Sequence, residues 1–129
     1  MEFSEPQVIL FVADCERSAQ FYEQFGFEET FRTSQQMPVK IELSLGAFNL
    51  GLAQPGPAAV SHDITPVTAG HRACLTLWTD DVEGAYAMAL RAGAVDHAGP
   101  HSFRDGLLRV AFVEDLDEHP IQLVQRVAL

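Results

Sequence analysis

The sequence predicts an α+β fold built from two βαβββ modules, and three features of the chain support this prediction. An extended apolar segment, Gln7–Asp14, has the same pattern as a later segment, Cys74–Asp81. Each segment ends in an Asp that can cap a helix, and each helical stretch that follows ends at a glycine, Gly26 or Gly93. Strand-like segments then follow in both copies. Because an internal repeat decides the architecture, two similar halves are expected.

The first copy contains one helix and three strands after its opening strand. The helix is predicted over Cys15–Phe25, where Ser18, Phe21, Tyr22 and Phe25 have the spacing of one helical face. Such a face packs against a sheet, so these side chains are predicted to belong to the core. The strands that follow are predicted at three places: Glu28–Thr33, Val39–Leu45 and Asn49–Ala53.

The second copy follows the same order. Its helix is predicted over Val82–Ala92, with an equivalent stripe of small and aliphatic side chains: Ala85, Met88, Ala89 and Ala92. A weakly marked strand near Ala94–Ala98 is placed by analogy with the first copy. Two clearer strands are predicted later in the chain, at Leu107–Val113 and Ile121–Gln125.

The prediction for the whole chain is a single domain over residues 1–129. Module 1 covers about residues 5–54, and module 2 covers about residues 71–127. Between them, residues 55–70 contain Pro55, Gly56, Pro57 and Pro66, a composition that predicts an irregular connector.

Composition excludes several classes of function. The chain has 129 residues, of which 47% are hydrophobic and 20% are charged, as in a globular domain. A net charge of −10 with only eight Lys and Arg argues against nucleic-acid binding. The apolar runs are too short to span a membrane, and the N-terminal residues lack the pattern of a secretory signal, so a cytoplasmic location is expected.

Several motifs resemble those of the vicinal oxygen chelate superfamily, which includes glyoxalases, extradiol dioxygenases and bleomycin-resistance proteins. They are Val12-Ala13-Asp14, Phe21-Tyr22, Gly26-Phe27 and the segment from Asp115 to Leu123. In that segment Leu116 and Glu118 replace the Pro and Gly of the usual Asp-Pro-Asp-Gly-Asn turn. The resemblance implies a cup-shaped, partly closed mixed sheet with the helices outside.

The same resemblance identifies four positions that hold the metal ligands in metal-dependent members. Here those positions carry Gln7, Gly51, Cys74 and Gln122. Divalent metals prefer carboxylates and imidazoles, so two amides, a glycine and a single thiol are a poor ligand set. The expectation is therefore that the protein has no metal ion and no cofactor.

Strand alternation predicts which side chains line the ligand cavity of such a cup. They comprise aromatic and aliphatic groups together with a few polar ones: Gln7, Ile9, Phe11, Cys74, Thr76, Trp78 and Gln122. The resemblance adds Phe103, which aligns with an aromatic residue at the rim of the family's cavity. This lining suits a small organic molecule, and the acidic charge and the single Trp add cations to the candidates.

These features predict a metal-independent protein that sequesters a small molecule, as bleomycin-resistance proteins do, and not an enzyme. A homodimer is implied by the resemblance alone. The alternative is a lyase, isomerase or dioxygenase of the same fold with unusual ligands, chosen from four residues: Glu42, His71, His101 and His119. His62, His97 and His101 are expected in loops. A domain that only contacts other proteins is a third hypothesis.

Overall fold

The computed structural model describes residues 1–67 and 69–127. The chain forms two compact units, Met1–Ala69 and Gly70–Leu129, each with one four-stranded mixed sheet. Strand, helix and three strands follow one another in both units. The predicted α+β class with two βαβββ modules is confirmed.

Unit 1 places its first strand at one edge of its sheet. The strand order is β1-β4-β3-β2, with β1 parallel to β4 and the other pairs antiparallel. An irregularity in the register lies in β2 between Glu29 and Phe31. The elements of this unit are β1 (Gln7–Phe11), α1 (Cys15–Glu23), β2 (Glu28–Arg32), β3 (Lys40–Leu45), β4 (Phe48–Ala53) and α2 (Pro55–His62).

The core of unit 1 lies between α1 and strands β3 and β4. Asp14 caps α1 by accepting a hydrogen bond from the backbone N–H of Arg17, at 3.1 Å. Gly26 has a φ of 99°, a conformation that favours glycine and lets the chain leave the helix. Alternate residues of the two strands are buried against the helix: Ile41, Leu43, Leu50 and Leu52.

Unit 2 repeats this arrangement with the order β5-β8-β7-β6. Asp81 caps α3 through the N–H of Gly84 at 3.0 Å, and Gly93 has a φ of 108°. Helix α3 packs against β6, β7 and β8. The elements are β5 (Leu75–Trp78), α3 (Val82–Arg91), β6 (Val95–Phe103), β7 (Leu108–Glu114) and β8 (Pro120–Arg126).

Two local predictions are wrong. Residues 55–62 of the predicted irregular connector form α2, because proline is well tolerated in the first turn of a helix, and His62 therefore lies in a helix. Strand β6 is longer than expected, so His97 and His101 lie in a strand and not in a loop. Two register irregularities in β6 obscure its alternation in the sequence.

None of the helices formed by residues 1–67 and 69–127 is long and apolar enough to cross a membrane.

Candidate functional site

One face of the sheet packs against α1 in unit 1 and against α3 in unit 2. We call the opposite face of each sheet, which does not pack against that helix, the open face. On the open face of unit 1, one row of side chains crosses all four strands. Strand register aligns Ile9 with Gly51, Gly51 with Glu42, and Glu42 with Phe31. Ile9 is 42% exposed and Phe31 is 49% exposed, so the row presents apolar groups around a carboxylate.

Gly51 lets neighbouring side chains cover the backbone of β4. A Cβ atom at this position would lie 3.0 Å from Oε1 of Gln7 and 3.0 Å from Cγ1 of Ile9. Those two side chains therefore occupy the space that a larger residue would need. Gln7 extends beyond the glycine and hydrogen bonds to Glu42.

Glu42 is held in its charged form by polar neighbours on this face. Burial raises the pKa of its carboxyl, but the Gln7 amide and the Lys40 ammonium outweigh that effect and hold the pKa below its usual value. The Lys40 Nζ atom lies 3.2 Å from Oε2 of Glu42. The sequence pattern did not show this cluster, because Gln7 and Glu42 are on strands separated by β4.

The open face of unit 2 carries two such rows. The first joins Thr76, Gln122, Phe112 and Ala98, and the second joins Trp78, Val124, Val110 and His101. In the first row, the Thr76 hydroxyl donates to Oε1 of Gln122 at 3.1 Å. Polar side chains thus lie beside an aromatic ring across β5, β8 and β7.

Trp78 is paired with a cation from this same chain. The guanidinium carbon of Arg126 lies 4.0 Å from the centroid of the Trp78 ring. The ring is nevertheless 52% exposed. Sequence alternation predicted the position of Trp78 but missed Arg126, which lies two residues beyond its strand partner Val124.

Cys74 directly precedes β5, and its thiol is poorly suited to nucleophilic chemistry. Burial raises the pKa of this thiol, against an opposing effect of a hydrogen bond with the Gln122 backbone. Because the thiolate is the reactive and metal-binding form, a raised pKa favours an inert side chain.

A further polar cluster lies around Glu114, at the end of the open face opposite Arg126. His71 Nε2 lies 3.0 Å from Oε1 of Glu114, and His97 Nδ1 lies 3.6 Å from the same atom. The two imidazole rings have centroids 5.9 Å apart. Within residues 1–67 and 69–127, no three His, Cys, Asp or Glu side chains form a group that could hold a metal ion.

The predicted lining residues fall on these two open faces. Gln7, Ile9 and Phe11 lie on that of unit 1. The other members of the predicted set lie on or beside that of unit 2: Cys74, Thr76, Trp78, Phe103 and Gln122.

The residues at the four metal-ligand positions do not fit a metal ion. Gln7 is hydrogen bonded to Glu42, and Gln122 accepts a hydrogen bond from Thr76. Gly51 has no donor atom in its side chain, and the pKa of the Cys74 thiol is raised. A hard divalent cation would find no carboxylate or imidazole at any of these positions.

Two βαβββ modules, each with an open sheet face, are the architecture of a class of paired-module α+β proteins. The chain belongs to the Glyoxalase/Bleomycin resistance protein/Dioxygenase superfamily, whose family model matches residues 6–123. No curated protein matches the chain significantly.

Solved structures share this fold at low sequence identity. A hypothetical protein, SA1046 from S. aureus, has a TM-score of 0.80 and 23% identity, over 97% of this chain and 95% of that one. A family enzyme from Burkholderia phytofirmans PsJN has a TM-score of 0.81 and 20% identity, over 97% and 100%. TioX from Micromonospora sp. ML1 has a TM-score of 0.69 and 22% identity, over 97% and 100%. At these identities the likeness shows the fold alone.

Proposed function

We propose that this protein binds a small organic molecule without the help of a metal ion. The observation that carries the proposal is which residues occupy the four metal-ligand positions and what those residues contact. Two of them hold amides already engaged in hydrogen bonds, one is a glycine covered by Gln7 and Ile9, and the last is a thiol with a raised pKa.

The open faces also offer the surface that such a ligand needs. Small-molecule sites are largely apolar, with a few polar groups that set the orientation of the ligand. Ile9, Phe31 and Trp78 are large apolar side chains that remain about half exposed, and each lies near polar partners on its own sheet. Exposed apolar surface rimmed by polar groups is typical of a binding site.

The alternative function is a metal-dependent lyase, isomerase or dioxygenase of this fold. Its metal would need ligands from outside the four positions. The candidates are already engaged: Glu42 with Lys40, His71 with Glu114, and His119 with Asp115. The fourth, His101, donates from Nδ1 to the carbonyl oxygen of Gly99 at 2.7 Å. These contacts favour the binding function.

We further propose that the binding protein is a homodimer. In the sheets formed by residues 1–67 and 69–127, the edge strands are β1 and β2 in unit 1 and β5 and β6 in unit 2. Val8 and Ile9 on β1 are exposed, and an apolar edge strand is a surface that readily pairs with another chain. Sedimentation equilibrium of the full chain tests this, and a monomer at all concentrations would contradict it.

A cytoplasmic location is also part of the proposal. Cys15 and Cys74 are not joined by a disulfide, a state that suits a reducing compartment. Cell fractionation with antibody detection tests the location.

The metal content per chain tests whether the protein binds a metal ion. The protein is stripped with chelator, dialysed anaerobically against manganese, nickel, iron(II) or zinc, and measured by mass spectrometry. We expect no stoichiometric uptake. A variant with Gln7→His, Gly51→Glu, Cys74→His and Gln122→Glu serves as the positive control for the four positions. Stoichiometric, tight uptake by the unaltered chain would contradict the proposal.

Ligand binding is tested by screening small molecules for quenching or shifting of Trp78 fluorescence. Trp78 is the only tryptophan, so the signal reports on one open face. Hits are then measured by calorimetry on Trp78→Ala, which should bind at least tenfold more weakly. Leu90→Ala is the matched control, since Leu90 is a partly exposed apolar residue on α3. Unchanged binding by Trp78→Ala would argue against this face.

A further inference from the structure

The pairing of Arg126 with Trp78 places a cation on the open face of unit 2. A guanidinium keeps its positive charge throughout the physiological pH range. Within residues 1–67 and 69–127, no carboxylate lies within 4.0 Å of Arg126. The charge is therefore offset by the aromatic ring and by solvent, and not by an ion pair with a described acidic residue.

The contact with Trp78 holds the guanidinium carbon of Arg126 4.0 Å from the ring centroid. Arg126 is nevertheless exposed, so its N–H groups are able to donate to a ligand. Parallel N–H donors in one plane match the two oxygens of a carboxylate. A cationic ligand would instead have to displace Arg126 from the ring and would meet its positive charge.

Apolar side chains extend away from this cation across the sheet. Strand register aligns Arg126 with Leu108, and Leu108 with Phe103. Two strand spacings separate Arg126 from Phe103, a distance of about 10 Å. Phe103 is 51% exposed and Leu108 is partly exposed, so the row offers an apolar surface as long as a fused pair of aromatic rings.

Other charged residues near this face do not neutralise the positive charge of Arg126. Glu114 is aligned with Pro120, which lies six positions before Arg126 along β8, or about 20 Å away. The turn between β6 and β7 contains Arg104 and Asp105, whose charges offset each other. Asp80 and Asp81 follow Trp78 closely in the chain, but Asp81 caps α3, and neither carboxylate is among the ion pairs of the described residues with Arg126.

We propose that the open face of unit 2 binds an aromatic carboxylate. The carboxylate accepts hydrogen bonds from Arg126, and the ring system lies over Leu108 and Phe103, on the side of Arg126 opposite to Trp78. This inference rests on the proposed binding function and specifies the charge and shape of the ligand.

Three probes of similar shape and different charge test the inference: 2-naphthoate, 2-naphthamide and 2-naphthylmethylammonium. Calorimetry on the full chain should show naphthoate binding at least tenfold more tightly than the amide, with the ammonium compound weakest. The indole N–H resonance of Trp78 should shift on addition of naphthoate. This ranking is measured without any substitution, so it does not depend on the folding of a variant.

Substitutions then assign the preference to Arg126. Arg126→Gln should bind naphthoate about tenfold more weakly and bind the amide unchanged. Arg126→Lys should be intermediate, because an ammonium cannot make two parallel bonds. Arg91→Gln removes the same charge from the end of α3 and should bind naphthoate as the unaltered chain does.

The possible failures can be told apart. Equal binding of the three probes, lost in Trp78→Ala, would overturn the carboxylate site and leave small-molecule binding intact. Unchanged naphthoate affinity in Arg126→Gln would have the same meaning. If no probe binds at millimolar concentration and the Trp78 resonance does not move, both this inference and binding at this face are overturned.

Discussion

The Nδ1 atom of His119 lies 2.8 Å from Oδ2 of Asp115, a carboxylate that is only 1% exposed. Asp115 also accepts hydrogen bonds from the backbone N–H groups of Asp117, at 2.8 Å, and His119, at 2.9 Å. The carboxylate therefore holds the turn between β7 and β8 closed. Burial lowers the pKa of His119, but the hydrogen bond and charge of Asp115, together with the charge of Asp117, outweigh burial and raise it.

This contact predicts a pH-dependent contribution to stability. Because the pKa of His119 is raised above its unfolded value of 6.5, the charged pair stabilises the fold fully below about pH 6.5. The stabilisation is lost as the pH rises through the folded pKa. His119→Gln should therefore lower the free energy of unfolding by about 1 to 2 kcal/mol at low pH and by less at high pH. Urea unfolding at about pH 5.5 and about pH 9 measures the difference.

A control for that experiment is His62→Gln, which removes an exposed histidine from α2. Its effect should be small at both pH values. An equal loss of stability in His119→Gln at the two pH values would show that the charge on His119 contributes nothing.

Glu118 in the same turn has a φ of 69°, a left-handed conformation that is costly for a residue with a side chain. Glu118→Gly should therefore raise the free energy of unfolding by about 0.5 to 1 kcal/mol, since relief of strain exceeds the added freedom of the unfolded chain. Urea unfolding near neutral pH measures the gain. A loss of stability would mean that the strain at Glu118 is smaller than the entropy cost of glycine.

Ser18 on α1 is buried at 1% exposure, and its hydroxyl has no hydrogen-bond partner among residues 1–67 and 69–127. A buried hydroxyl without a partner costs free energy, and alanine is the better helix former. Ser18→Ala should therefore raise the free energy of unfolding by about 1 kcal/mol. The repeat supplies the matched control, because the equivalent residue of the second copy is Ala85, and Ala85→Ser should not be stabilising. A destabilised Ser18→Ala variant would show that the hydroxyl has a favourable contact.

Cys74 is exposed, yet burial of its thiol raises the pKa. Alkylation by iodoacetamide at neutral pH should therefore be slower than that of a free thiol, by about tenfold for each unit of pKa. The rate should keep rising above pH 9.0, the ordinary value for this group. Cys15 is buried and should not react in the folded protein, so Cys74→Ser should abolish labelling. Rapid labelling of Cys74 at neutral pH would reveal an activated thiol.

The repeated elements could be predicted because their signals are local. Asp14 and Asp81 cap their helices through short backbone hydrogen bonds, and Gly26 and Gly93 have the positive φ that ends them. The sequence does not predict helix α2, because proline and glycine usually interrupt a helix. Pro55, however, lies in the first helical turn, where proline costs little.

The polar contacts of the open faces were not visible in the sequence. Gln7 reaches Glu42 across the intervening strand β4, and this depends on Gly51 having no side chain. Arg126 reaches Trp78 diagonally, from two residues beyond the strand partner of the ring. Alternation shows on which face of the sheet a side chain lies. The partner that a long side chain contacts also depends on the space that its neighbours leave.

The glycine at position 51 has an evolutionary consequence. A single base change converts a glycine codon to one for glutamate, and a single base change likewise converts glutamine to histidine or glutamate. Three of the four positions, Gln7, Gly51 and Gln122, are therefore each one mutation away from a metal-binding residue. Descendants of this gene could therefore acquire a set of metal-binding side chains in few steps, with the fold unchanged.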